Sequence, residues 1–196
     1  MLAPVVRAAM ALRLTPNTIT VIGLGITVVA SLMVANGWLL PGAAILTAGS
    51  LLDAVDGALA RATGGGTPFG GFLDSTLDRA GEAILYVGIG AWLVTSQPEP
   101  LWPVVALLVA LSGSFLVSYT HARAQGIGVG AEVGLAPRTE RIVVAVAGIA
   151  LAGLGFVPGL LAALVVLAVF TTITVVQRIR HVWRLTRTPH YDSKEK

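Results

Sequence analysis

Four aspartates, Asp53, Asp56, Asp74 and Asp78, stand close together in a chain whose other long segments are almost bare of charge. Carboxylates at membrane depth are expensive and mark functional sites. On a helix, Asp53 and Asp56 share one face, and so do Asp74 and Asp78. With no Cys in the chain and only sparse His, the donor set is oxygen alone, which suits a hard cation, Mg²⁺ first and Mn²⁺ second. Four acids suggest two ions per site. Gly57 and Ala60 fall on the face of Asp53 and Asp56 and leave room for a ligand to approach. The turn Gly64-Gly65-Gly66-Thr67 offers backbone N–H groups and a hydroxyl to phosphate oxygens, and Arg61 adds a cation. Together these groups describe a pyrophosphate site.

Capping does not account for these acids. Asp53 and Asp78 fall about two turns inside their helices. Pairing with arginine could serve one or two of them, but only Arg61 and Arg79 are near in sequence, and adjacent residues such as Asp78 and Arg79 do not face each other on a helix. At ~1.5 Å per residue, Asp56 and Asp74 lie about 6–8 Å inside their helix ends and Asp53 and Asp78 about 12 Å. The pairs are therefore expected level with one another on antiparallel neighbours, just beneath one membrane surface. Glu82 extends this ladder by one turn and is expected as a neutral, packed acid. Tyr86 is expected in the core.

The elements that must position these acids are long and apolar. The 196 residues are 55% hydrophobic and 12% charged, with a mean hydropathy of +0.83. A soluble domain carries about 25% charged residues, so the fold class is an all-α integral membrane protein of six transmembrane helices. The spans fall near 17–36, 39–62, 70–96, 101–125, 139–155 and 158–182, broken at Asn36-Gly37, at Gly64 to Pro68, at Gln97 to Pro100, at Gly126 to Pro137 and at Pro158-Gly159. Residues 1–16 form an N-terminal juxtamembrane segment with an amphipathic helix, capped into the first span by Thr15 and Pro16. Residues 17–183 are the transmembrane domain, and 184–196 a polar tail. No signal-peptide cleavage pattern follows the first apolar run. With six spans, all 13 Lys and Arg residues fall on one side, and Glu99 is the only charge in the opposite loops. The positive-inside rule then puts both termini and the carboxylate site in the cytoplasm of a multi-pass plasma-membrane protein. Trp38, Trp92 and Trp102 are expected as an outer aromatic belt, with Trp183 at the inner face. Nothing points to nucleic acid.

The spacing Asp53-x2-Asp56-Gly57-x2-Ala60-Arg61-x8-Gly70-x3-Asp74-x3-Asp78 resembles the signature of the CDP-alcohol phosphatidyltransferases without a departure. The resemblance covers nearly the whole chain. It implies an enzyme that moves a phosphatidyl-type group from a CDP-diacylglycerol-type lipid donor to an alcohol and releases CMP, and a homodimer. It implies two metal ions on Asp53, Asp56, Asp74 and Asp78, with Asp78 also the base. Asn17, Thr18, Ile19, Thr20, Gly57, Arg61 and Thr67 are implied as contacts to the CDP-linked donor.

The acceptor is read from the second half. Ser118-Tyr119-Thr120-His121-Ala122-Arg123-Ala124, Pro137-Arg138-Thr139-Glu140-Arg141 and Gln177-Arg178 bring cations to the cytoplasmic ends of the last three spans. Such clusters favour phosphate, so His121, Arg138, Arg141 and Arg178 are candidate ligands of a soluble polyol-phosphate acceptor. These segments are similar to those of phosphatidylinositol phosphate synthases, which implies inositol phosphate. That branch usually carries a lysine where His121 stands, and a histidine is cationic only when protonated. A phosphatidylglycerophosphate synthase or an archaeal-type ether-lipid homologue is the alternative. An intramembrane prenyltransferase would need more spans and well-separated Asp motifs. A divalent-cation carrier would need acids along a path through the bilayer midplane.

Overall fold

The computed structural model describes the backbone of residues 15–62 and 67–187, and their side chains except at 51–58 and 60–62. Six helices follow one another: α1 (Pro16–Ala35), α2 (Leu39–Ala62), α3 (Pro68–Ser96), α4 (Leu101–Gln125), α5 (Arg138–Gly153) and α6 (Val157–Thr186). The juxtamembrane helix, the Gly64–Gly66 turn and the end of the tail lie outside the described residues.

Helix starts follow local chemistry. Thr15 caps α1 by accepting the Thr18 N–H at 3.2 Å, with Pro16 in the first turn where its missing N–H costs nothing. Thr67 and Pro68 repeat the device on α3, where the Thr67 hydroxyl accepts the Gly70 N–H at 3.0 Å. The break between α5 and α6 falls earlier than the expected Pro158-Gly159. The chain reverses at Leu154 to Phe156, where Gly155 adopts φ 90° and the Phe156 N–H returns to the Leu151 carbonyl at 2.9 Å. Positive φ is what glycine supplies cheaply, and Pro158 instead sits in the first turn of α6.

α1 packs along both α2 and α3, and α4 and α5 pack along α6. The two groups join where α2 meets α5 and, less extensively, where α3 meets α4. The core between them holds Leu85, Ile89 and Leu93 of α3, Ile149 of α5 and Leu160 and Leu164 of α6. Tyr86 is also in it, as expected. In lipid, helices associate through close packing and polar contacts, and small residues let backbones approach. Gly88 lies against the Ser31 backbone, where a Cβ would collide, and the Ser31 hydroxyl donates to the Ile84 carbonyl at 2.5 Å. Gly113 makes the same room for Thr171 between α4 and α6.

α1, α4 and α6 are each long and apolar enough to cross a membrane, with mean hydropathies of 2.2, 2.0 and 2.6. α3 carries Asp74, Asp78, Arg79 and Glu82 in its first half, and the 16-residue α5 opens on Arg138-Thr139-Glu140-Arg141. The charge that lowers their hydropathy is the charge of the site. Trp38, Trp102 and Trp183 are exposed as an aromatic belt requires, but Trp92 is not a belt residue. It is 7% exposed and packs over Gly37, because the α1–α2 turn folds onto that face of α3.

Candidate active site

A cavity of about 380 Å³ opens between α1, α2, α3 and α5. Its polar lining is Thr20, Thr27, Ser50, Asp78, Glu82, Arg138 and Thr139, with Leu24, Leu46 and Leu85 on its apolar walls. On α2 the lining positions are Leu46, Gly49 and Ser50, and positions 53, 56 and 57 continue that face by the helical period. The side chains of Asp53, Asp56, Gly57 and Arg61 lie outside the described residues. On α3, Asp78 faces the cavity and the half-buried Asp74 stands one turn nearer the helix start.

Among the described residues, α2 and α3 each pack extensively along α1, which walls the cavity between them. The expected meeting of the two acid pairs rests on α2 side chains that lie outside the described residues. Carboxylates on tightly packed helices would repel with nothing between them, whereas a gap admits the cations that neutralise them. The donor set is carboxylate oxygen, and the group Asp78 attracts here is itself a cation, the Arg138 guanidinium at 2.8 Å. That set fits a hard divalent ion.

The residues expected at the CDP-linked donor converge in part. Asn17 and Thr67 meet at Gly70, whose absent Cβ would stand 3.0 Å from Asn17 Oδ1 and 3.2 Å from Thr67 Oγ1. The Thr18 hydroxyl shares a 2.8 Å hydrogen bond with that of Thr15. Thr20 lines the cavity and donates its hydroxyl to the Pro16 carbonyl at 3.1 Å. Ile19 is buried and is not among the cavity-lining residues.

A second cavity, of about 300 Å³, gathers all four expected acceptor residues, His121, Arg138, Arg141 and Arg178, together with Arg79 and Glu132. Arg138 lines both cavities. The cationic residues differ in how they are held. Arg141 is 2% exposed and grips Glu82 with two parallel hydrogen bonds, Nε to Oε1 at 2.8 Å and Nη2 to Oε2 at 2.9 Å, while Nη1 donates to the Ala136 carbonyl at 2.9 Å. Glu82 is thus one half of a buried ion pair and not the neutral acid expected; a partner 59 residues away supplies the charge. Arg178 donates Nε to the Val133 carbonyl at 2.9 Å and Nη1 to the Val117 carbonyl. Burial lowers the tolerance for unpaired charge, so both arginines tie backbone as well as lining the cavity. Arg79 reaches Asp78 only at 3.9 Å and gives the same Nη1 to the Ser75 carbonyl at 2.8 Å.

The loop 126–137 that covers this cavity is held by residues the sequence reading did not single out. The buried Thr174 hydroxyl accepts the N–H groups of Leu135 and Ala136 at 3.0 and 3.1 Å. Gly134, at φ 133°, packs so close to Thr174 that a Cβ would collide. His121 Nδ1 lies 3.3 Å from the Ala131 carbonyl, which can only accept, so that nitrogen is the protonated one in this contact. The signal in the sequence is that Thr174 and Arg178 are one turn apart on α6, where its apolar first half gives way to polar residues.

An all-helical membrane protein with a carboxylate-lined cavity beside a cationic one belongs to the class of enzymes that join lipid and soluble phosphate chemistry. Residues 13–175 match the family model described as CDP-alcohol phosphatidyltransferase, and the chain belongs to that family. It is 39% identical over 177 residues to a phosphatidylinositol phosphate synthase of Corynebacterium glutamicum, covering 90% of this chain and 81% of that one. It is 41% identical over 172 residues to an archaetidylinositol phosphate synthase of Methanothermobacter thermautotrophicus, covering 87% and 84%. The crystal structure of the Mycobacterium tuberculosis phosphatidylinositol phosphate synthase with CDP-DAG bound superposes with a TM-score of 0.88 at 32% identity, over 100% of this chain and 99% of that one. The same synthase in complex with manganese and citrate gives 0.88 as well. The chain is therefore a multi-pass membrane CDP-alcohol phosphatidyltransferase, which sets aside the prenyltransferase and cation-carrier readings.

Proposed function

We propose that the chain transfers a phosphatidyl-type group from a CDP-linked lipid to inositol phosphate and releases CMP, at a site open to the cytoplasm. The observation that carries this is Arg138, which lines both cavities and pairs with Asp78 between them. A lipid donor in the first cavity and a phosphorylated alcohol in the second would meet at that carboxylate. The relatives named for inositol phosphate products support the same acceptor. One of them is a phosphatidyl and the other an archaetidyl enzyme at near-equal identity, so the donor's chain type is a separate question for substrate assays.

In this reading six helices cross the bilayer with both termini cytoplasmic, and α1 and α3 leave the donor's tails beside Leu24 and Leu85. Asn17, Thr18, Thr20, Gly57, Arg61 and Thr67 hold the cytidine diphosphate. Two divalent cations, Mg²⁺ or Mn²⁺, held by Asp53, Asp56, Asp74 and Asp78, would neutralise charge on the diphosphate and the departing CMP. His121, Arg138 and Arg178 receive the acceptor's phosphate, with Arg141 adding positive potential from its pair with Glu82. Asp78 accepts the proton of the acceptor hydroxyl, whose oxygen attacks the lipid-side phosphorus as the bond to CMP breaks. A second copy of the chain completes a homodimer.

The test is an acceptor panel with CDP-diacylglycerol in membranes: inositol 1-phosphate, glycerol 3-phosphate, free inositol and serine, each with Mg²⁺, Mn²⁺ or chelator. Inositol 1-phosphate alone should release CMP, and chelator should stop it. In His121→Lys a permanent cation should lower the KM for inositol 1-phosphate several-fold. Turnover with free inositol or serine only would overturn the phosphate pocket.

A further inference from the structure

We propose that Arg138 is an exchange residue: it holds Asp78 while the acceptor cavity is empty and hands Asp78 over when an acceptor phosphate draws the guanidinium away. The proposal deepens the reading above and rests on it. Three observations carry it. Arg138 is the lining residue common to the two cavities, so a rotation of one side chain moves its charge from one to the other. Its bond to Asp78 is short, at 2.8 Å, but the side chains are 35% and 14% exposed, so neither charge is locked in by burial. One turn along both helices, the Arg141–Glu82 pair is buried at 2% and 3% and pins α5 to α3, which gives Arg138 a fixed base to swing from.

The consequence is chemical. While Arg138 sits on Asp78, it competes with a divalent cation for the same oxygen. Water entering without an acceptor then meets a carboxylate that is already engaged. Hydrolysis of the donor, in which water attacks the lipid-side phosphorus, gives its proton to Asp78 and displaces CMP, is suppressed. A phosphorylated acceptor supplies the anion that moves Arg138, so cation and acceptor phosphate bind cooperatively. Such coupling is reciprocal and typically 5–150-fold. Arg138 is in this sense a positioning residue that makes phosphate on the acceptor a condition for catalysis.

The experiment is Mn²⁺ binding to the full chain in detergent, without donor, followed by the loss of the free-ion EPR signal. In the wild type, inorganic phosphate at matched ionic strength should tighten Mn²⁺ binding by about fivefold or more. Phosphate also complexes Mn²⁺ in solution and lowers the free-ion signal, so a protein-free titration at each phosphate concentration is subtracted. In Arg138→Gln, Mn²⁺ should bind about tenfold tighter than in the wild type, the phosphate effect should vanish, and acceptor-free CMP release should rise relative to transfer. The wild-type arm needs no variant to fold, and failure of phosphate to tighten Mn²⁺ overturns the exchange by itself. The two readings separate cleanly. If Arg138→Gln raises the KM for inositol 1-phosphate but leaves Mn²⁺ affinity unchanged, the exchange is wrong and the acceptor assignment stands. If Mn²⁺ tightens with that KM unchanged, Arg138 is not an acceptor ligand and the exchange fails with that assignment.

Discussion

Two ion pairs join α3 to α5 one helical turn apart, and they have the same chemistry but opposite surroundings. Asp78 and Arg138 meet at 2.8 Å with side chains 14% and 35% exposed, at the boundary of two cavities. Glu82 and Arg141 meet through two parallel hydrogen bonds at 3% and 2% exposure, with a third arginine N–H on the Ala136 carbonyl. The difference teaches what makes an ion pair structural. A desolvated, bidentate and further hydrogen-bonded pair cannot open without stranding a charge, whereas a partly exposed pair can trade partners at less cost, because water can solvate both groups. The buried pair braces α3 against α5, and the partly exposed pair stands between the two cavities, where the proposed chemistry needs a carboxylate.

The comparison can be broken first at Asp78. Asp78→Asn keeps the shape and an acceptor for Arg138 but removes the proposed base, so transfer should fall by about 10²–10⁴-fold or more. Thermal unfolding in detergent should hardly move. A large fall in the melting temperature would make this pair structural too and erase the contrast. The complementary change is Glu82→Gln, which leaves the Arg141 charge buried without its partner and should cost about 3–5 kcal/mol of stability. Replacing both, as Glu82→Leu with Arg141→Met, should recover most of that loss, since a buried pair is often no more stable than packed apolar residues. Recovery of stability without activity would show that Arg141 also serves the acceptor cavity.

Much of this arrangement was legible in the chain because its signals are local. Acids spaced by a helical turn in an apolar background announce Asp53 to Asp78, and Thr-Pro starts at residues 15 and 67 announce α1 and α3. What was hidden depends on partners far along the chain. Nothing near Glu82 says that a guanidinium 59 residues away neutralises it, so the neutral acid was the natural expectation. Trp92 looks like a belt residue by position along its span, and only the fold of the α1–α2 turn over Gly37 makes it core. Proline marked the α5–α6 break, but a proline is as much at home in a first turn, and the turn itself used the positive φ of Gly155. Likewise, depth along two helices says nothing of α1, which packs extensively along both of them.

The smallest effect sharpens the comparison from a neutral group. Thr174 holds the same cavity wall as Arg178, but with a hydroxyl that accepts the Leu135 and Ala136 N–H groups. Thr174→Val preserves the shape against Gly134 and strands both donors, at a cost of about 1–3 kcal/mol. Because the loop lines the cavity proposed for the acceptor and not the one proposed for the donor, the KM for inositol 1-phosphate should rise a few-fold, with little change for the CDP-linked lipid. The ordering Glu82→Gln, then Thr174→Val, then Asp78→Asn in lost stability, against the reverse for Asp78 in lost turnover, is the signature of a rigid frame around one exchangeable carboxylate. If Thr174→Val instead slowed turnover at saturating acceptor as strongly as Asp78→Asn, the frame would be part of the chemistry, and the division between the two ion pairs would have to be redrawn.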